Sequence, residues 1–189
     1  MFSTPLWIEN VPNFEAMNEG LLEASFLYKG GDYFEIKLPA VATLYAHVLG
    51  RVHEICEANS VETHGTVLTG RQQVMQPRAS EPPHWHPSSK LVAVYYVNRM
   101  DGHGDLLLHD PRGGASFADK SLEYQADCNS KTFHRIFHRI KHEAGLLVIF
   151  PGDLAHSVEV NLSTAPRISI AMAFRESSIS DAPTSIRPK

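Results

Sequence analysis

Between Pro39 and Asn59 the apolar residues Val41, Leu44, Val48, Val52 and Ile55 recur at intervals of three or four. That is the period of one face of an α-helix, here about five turns long. His47 and His53 fall off or beside the stripe and read as solvated or flanking histidines. Upstream, Phe14 to Tyr28 is a second helix candidate weakened by Gly20, and Gly30-Gly31-Asp32 ends the pattern. Beyond Asn59-Ser60 the period changes. Thr63 to Gln76 alternates brokenly with β-branched residues, and Leu91 to Asn98 (LVAVYYVN) is a strand by composition, too apolar to have a wet face. Asp105 to His109, Leu146 to Phe150, His156 to Val160 and Arg167 to Phe174 continue the series, separated by turns such as Asp110-Pro111-Arg112-Gly113-Gly114 and Pro151-Gly152-Asp153. Short strands in succession without intervening helices argue for an antiparallel sandwich or jelly roll and against alternating βαβ units.

The expected fold is therefore mainly β with flanking helices around a jelly-roll core, the architecture shared by cupin-like proteins. Residues 1–60 are expected to form an N-terminal extension whose helix packs on the core, residues 61–175 the β domain, and residues 176–189 a Ser- and Pro-rich tail laid over the surface. At 189 residues and 43% hydrophobic composition, the chain is long enough to bury one good core. A net charge of -4 without a basic patch argues against nucleic acid as a partner. No apolar run approaches the roughly eighteen residues of a membrane span, and Met1 to Phe14 lacks a basic head before an apolar run, so no membrane partner and a cytoplasmic address are expected. Cys56 and Cys128 read as free structural thiols.

The candidate chemistry lies in histidine. Pro83-His84-Trp85-His86-Pro87 places two imidazoles one residue apart, an arrangement that at a strand end sets both nitrogens on one metal, with the prolines stiffening the approach. His156 follows seventy residues later, after an apolar strand and a Pro-Gly turn, as a third ligand candidate. Trp85, between the ligands, is expected to face away and pack. Arg167 and Ser169 share a strand face, and an inward guanidinium beside a hydroxyl suits a carboxylate, either a bound one or a salt-bridge partner. The duplicated Phe133-His134-Arg135-Ile136-Phe137-His138-Arg139-Ile140 with His142 would put three histidines on one helix face. As a strand, the expected state, it spreads them too far apart to chelate one ion. The long polar loop from Gly113 to Ser130 is a candidate lid or binding loop.

The order HxH, LVAVYYVN, Gly104-Asp105-Leu106-Leu107-Leu108-His109-Asp110-Pro111-Arg112, GLLVIFPGDLAHSVEVN and RISIAMAF resembles the 2-oxoglutarate- and Fe(II)-dependent oxygenases of the double-stranded β-helix superfamily, over about residues 76 to 174. The resemblance implies Fe(II) held by His84, His86 and His156. It also implies 2-oxoglutarate with its distal carboxylate on Arg167 and Ser169, assisted by Tyr96. The implied activity is a dioxygenase that hydroxylates a small-molecule or peptide substrate and decarboxylates 2-oxoglutarate to succinate. Most of the superfamily has HxD or HxE where this chain has His86. That leaves a three-histidine site, a carboxylate supplied by Glu81, Asp110 or Asp153, or a degenerate site, and three histidines is the reading favoured. Two alternatives stand beside it: a cupin-type three-histidine metalloenzyme that does not use 2-oxoglutarate, and a non-catalytic jelly-roll module that binds a small acid. The substrate is not legible, and the oligomeric state is open, a homodimer included.

Overall fold

The computed structural model describes residues 4–111 and 137–177. Among them the chain forms, in order, β1 (Trp7–Asn10), α1 (Phe14–Leu27), a short 3-10 turn (Tyr33–Glu35), α2 (Pro39–Ala58), β2 (Thr66–Met75), β3 (Glu81–His84), β4 (Ser89–Tyr96), β5 (Leu106–His109), β6 (Phe137–Ile140), β7 (Leu146–Pro151), β8 (His156–Val158) and β9 (Arg167–Glu176). These strands build two antiparallel sheets, a five-stranded one in the order β1-β7-β4-β9-β2 and a four-stranded one in the order β3-β8-β5-β6. This is the jelly roll expected from the strand series.

The larger sheet is covered on both faces, which explains why its central strands lack alternation. Leu91, Ala93 and Tyr95 of β4 and Leu147 and Ile149 of β7 join the cluster under the helices, with Val41, Leu44, Val48 and Val52 of α2. Val92, Val94 and Tyr96, with Val148 and Phe150, turn into the space between the sheets and meet Leu106, Leu108 and Val158. The period-2 pleat thus divides each apolar run between two cores.

The helix of residues 39–58 matches its periodicity, and Pro39 takes the first helical position, where its missing N–H costs nothing. Gly20, which weakened the first helix as a prediction, is needed there, because a Cβ would lie 2.6 Å from Ala40 Cβ. The glycine lets α1 and α2 approach closely. The N-terminal segment also supplies a strand that the pattern did not predict: β1 pairs in register with β7, Trp7 opposite Ile149. His47 is half-buried and sits 2.9 Å from the Glu9 carboxylate, which also takes Arg51, so it ties α2 to β1 rather than standing free in solvent.

Cys56 is a buried free thiol, pushed up by burial, whereas Cys128, the Gly113 to Ser130 loop and the tail from residue 178 lie outside the described residues. Among the described residues no helix is long and apolar enough to cross a membrane.

Candidate metal and cosubstrate site

Two consecutive prolines lead into the first two histidines. Pro82 and Pro83 offer no N–H to a ladder, and β3 accordingly pairs with β8 only at its ends, Glu81 opposite Val158 and His84 opposite His156, with a bulge between. His86 lies past the strand in the turn before β4, so the pair does not share a regular strand face as expected. That turn is fixed instead by the Pro151-Gly152-Asp153 turn: His86 N–H donates to Gly152 O at 2.7 Å and Ser89 N–H to His86 O at 2.9 Å. Only glycine fits at 152, since a Cβ would meet Ser89 O at 2.1 Å and His86 O at 2.7 Å.

The outcome is a three-imidazole cluster. One ring nitrogen from each of His84, His86 and His156 lies within 4.8 Å of the others, and the ring centroids of His84 and His156 are 4.3 Å apart. His84 Nδ1 donates to Pro82 O at 2.9 Å and His156 Nδ1 to Leu154 O at 3.0 Å. Each bond fixes the tautomer and leaves Nε2 with its lone pair free, the usual outer-shell arrangement around a metal-binding histidine. Burial lowers the pKa of His156 to about 4, with the charges of His84 and His86 adding to the effect. Burial, then His84 and Arg71, lowers that of His86. Both rings are thus neutral at pH 7, the form that binds metal. Among the described residues no carboxylate joins the cluster, and Glu81, Asp110 and Asp153 all stand outside it.

Trp85 corrects an expectation: it is 58% exposed rather than packed into the core. The duplicated segment also resolves in part. His138 is exposed on β6, His142 is buried beyond the end of that strand, and His134 lies outside the described residues.

Arg167 opens β9, and its side chain is the largest among those fully buried, at 1% exposure. Its Nε donates to His142 Nδ1 at 2.8 Å and its Nη1 to Ser169 Oγ at 3.2 Å, while the guanidinium stands 5.1 Å from the centre of the Tyr96 ring. Arg167 Nη2 and Tyr96 Oη are both buried without a hydrogen-bond partner. Burial, tempered by the Arg167 charge, holds the Tyr96 phenol up at about 12, so it remains a donor. Asp105 lies within the guanidinium's field, but its carboxylate is engaged by His142 N–H at 2.8 Å.

His142 and Asn98, neither singled out as a site residue, complete this corner. His142 Nε2 donates to Asn98 O at 2.5 Å. The Asn98 side chain brackets the start of β9, donating to Pro166 O at 2.9 Å and accepting from Ile168 N–H at 2.8 Å. His142 is held to about 3 by burial and by the Arg167 charge, so it faces the guanidinium as a neutral acceptor. A histidine four residues beyond the last of a repeated pair carries no sequence signal of this role.

A cavity of about 1340 Å³ opens beside the histidine cluster, with His86, Arg71, Gln73, Val92 and Ala171 in its wall. A jelly roll with a three-imidazole cluster, a buried unpaired guanidinium and an adjoining cavity has the architecture of a non-haem metal oxygenase. A family described as "Putative 2OG-Fe(II) oxygenase" matches residues 72–173, more than half of the chain, and the chain belongs to that family: it is a 2-oxoglutarate-dependent Fe(II) oxygenase.

The fold is shared with solved structures at low identity. A Pseudomonas putida prolyl-4-hydroxylase superposes with a TM-score of 0.65 at 15% identity, covering 93% of this chain and 90% of that one. HygX from Streptomyces hygroscopicus, solved with nickel and 2-oxoglutarate bound, gives 0.59 at 12% identity, covering 91% and 82%. AviO1 from Streptomyces viridochromogenes Tue57 gives 0.59 at 11% identity, covering 95% and 92%. No curated protein sequence matches the chain significantly.

Proposed function

We propose that this oxygenase hydroxylates an organic substrate, with Fe(II) held by His84, His86 and His156 and the distal carboxylate of 2-oxoglutarate held by Arg167, Ser169 and Tyr96. The observation that carries the reading is the environment of Arg167. A guanidinium at 1% exposure whose contacts are a neutral imidazole, a hydroxyl and an aromatic face is a buried cation in need of an anion. Its Nη2 and the Tyr96 hydroxyl are unsatisfied donors of the kind a carboxylate accepts from. The cluster suits the metal for a parallel reason: three converging imidazoles, two of them with tautomers fixed by backbone carbonyls, can hold a divalent ion and leave other positions open. Bound iron and 2-oxoglutarate supply the oxidising power: one oxygen atom of O2 goes to the substrate and the other to succinate, with release of CO2.

The chain's own part is positioning. His84 and His156 are aimed by the carbonyls of Pro82 and Leu154, Arg167 is oriented by His142, and Phe150, whose ring centroid is 4.9 Å from that of His156, keeps one side of the cluster apolar.

Anaerobic titration with Fe(II) and then 2-oxoglutarate should give a weak visible charge-transfer band, and admitting air should yield succinate. Arg167→Ala should lose the 2-oxoglutarate response while keeping metal binding. No band and no succinate from well-folded protein would overturn the assignment, and a three-histidine enzyme that ignores 2-oxoglutarate would keep its metal-dependent activity in Arg167→Ala.

A further inference from the structure

Resting on that reading, we infer that the substrate is an anion, and that Arg71 receives its carboxylate or phosphate group in the cavity beside the metal cluster. Arg71 lies on β2 directly opposite Ala171 of β9, with Thr69 opposite Ala173 and Gln73 opposite Ser169. The alanines leave the floor of the cavity low, and the guanidinium and the Gln73 amide stand over it in the same wall as His86. Arg71 is exposed to this space, and among the described residues no carboxylate pairs with it.

The charges around the cavity leave this cation uncompensated. Asp32 keeps its negative charge in the wall, its Oδ1 accepting from the N–H groups of Phe34 at 3.1 Å and Gly70 at 2.9 Å. With the exposed Glu35 it makes two negative charges in the wall against the three positive ones of Lys37, Arg71 and Arg175, an excess of one positive charge. Deeper in, the two negative charges of 2-oxoglutarate together with that of Asp105 would match divalent iron and Arg167, and the imidazole ligands add no negative charge. A site with a carboxylate in place of His86 would carry one more negative charge. Here the histidine replaces it and an arginine faces the same space, so metal and guanidinium repel each other until an anion lies between or beside them. A substrate carrying its own negative charge supplies that anion. The planar guanidinium fork with a side-chain amide two residues along the same strand face suits a carboxylate or a phosphate monoester.

The test uses the full chain loaded with nickel and saturated with 2-oxoglutarate. It is titrated calorimetrically with small carboxylates and phosphate monoesters, each matched with its neutral amide or alcohol. Binding confined to the acids is expected, with the stronger series showing which anion is taken. Affinity should fall about tenfold to a hundredfold in Arg71→Gln, the worth of a charge-assisted hydrogen bond, and less in Arg71→Lys. Neutral compounds binding as well as their acids, acids retaining their affinity in Arg71→Gln, or no acid binding to protein that does bind 2-oxoglutarate would each overturn the inference. Failure of the nickel-loaded wild type to bind 2-oxoglutarate would instead overturn the assignment of the cosubstrate site.

Discussion

His142 acts through a single proton it does not hold. Burial and the neighbouring Arg167 charge keep it down at about 3, whereas in the unfolded chain it returns to the ordinary value of about 6.5. Below about pH 6.5 the unfolded chain therefore takes up a proton that the folded chain refuses, and stability falls as pH drops from there toward about 3. Above that window the contribution is constant. Equilibrium urea unfolding between pH 7.5 and 5 should show this loss, and His142→Gln should reduce its slope by about one proton relative to wild type. The same substitution removes the acceptor of Arg167 Nε and should raise KM for 2-oxoglutarate more than it lowers kcat, at about 1–3 kcal/mol of stability.

At this scale the sequence is readable for residues that announce themselves by pattern: the HxH pair, His156 after its Pro-Gly turn, and the strand-face spacing of Arg167 and Ser169. It is silent about His142, because a lone histidine gains its role only when a distant arginine is folded onto it. It misleads about Trp85, since an aromatic between ligands reads as packing, whereas the turn carries it into solvent.

Among elements, periodicity served where a run was long enough to repeat. α2, β2, β4, β7 and β9 all follow their predicted spans closely, because each buries one or two consistent faces. β1 has only four residues, too few for alternation to stand out, and β3 contains two prolines, which argue against a strand. Both are edge strands, and at an edge the N–H groups that β3 lacks cost little.

The element that sets the site is not a strand but the contact of two turns, and Gly152 is its narrowest point. In Gly152→Ala the new Cβ would collide with the carbonyls of Ser89 and His86. The turn bearing His86 must then separate from the one leading to His156. The expected result is a folded protein of unchanged far-UV circular dichroism whose metal affinity falls about tenfold or more. Unaltered metal affinity in this variant would show that the two turns do not hold the cluster together.

For the whole molecule, the helices cover one face of the larger sheet while the smaller sheet covers the other, so the site lies inside a roll whose outer wall is already supported. Ligands that bind only the folded roll should stabilise it by mass action, by about 2.7 kcal/mol at a hundred times the dissociation constant. For a chain of this size each kcal/mol is worth roughly 2–4 °C. Thermal melts should therefore rise on adding nickel or Fe(II) anaerobically, rise again with 2-oxoglutarate, and fall back with a chelator. Arg167→Ala should keep the first increment and lose the second.

The paired prolines of β3 bear on how fast the metal comes and goes. A strand joined to its neighbour only at Glu81 and His84 can lift from β8 without breaking a continuous ladder, so its opening is a local event rather than an unfolding one. Iron bound across His84 and His156 would close that seam as a clasp closes a hem. Entry of metal would then be governed by the opening rate of the empty seam, and the bound ion, by holding the seam shut, would slow its own release.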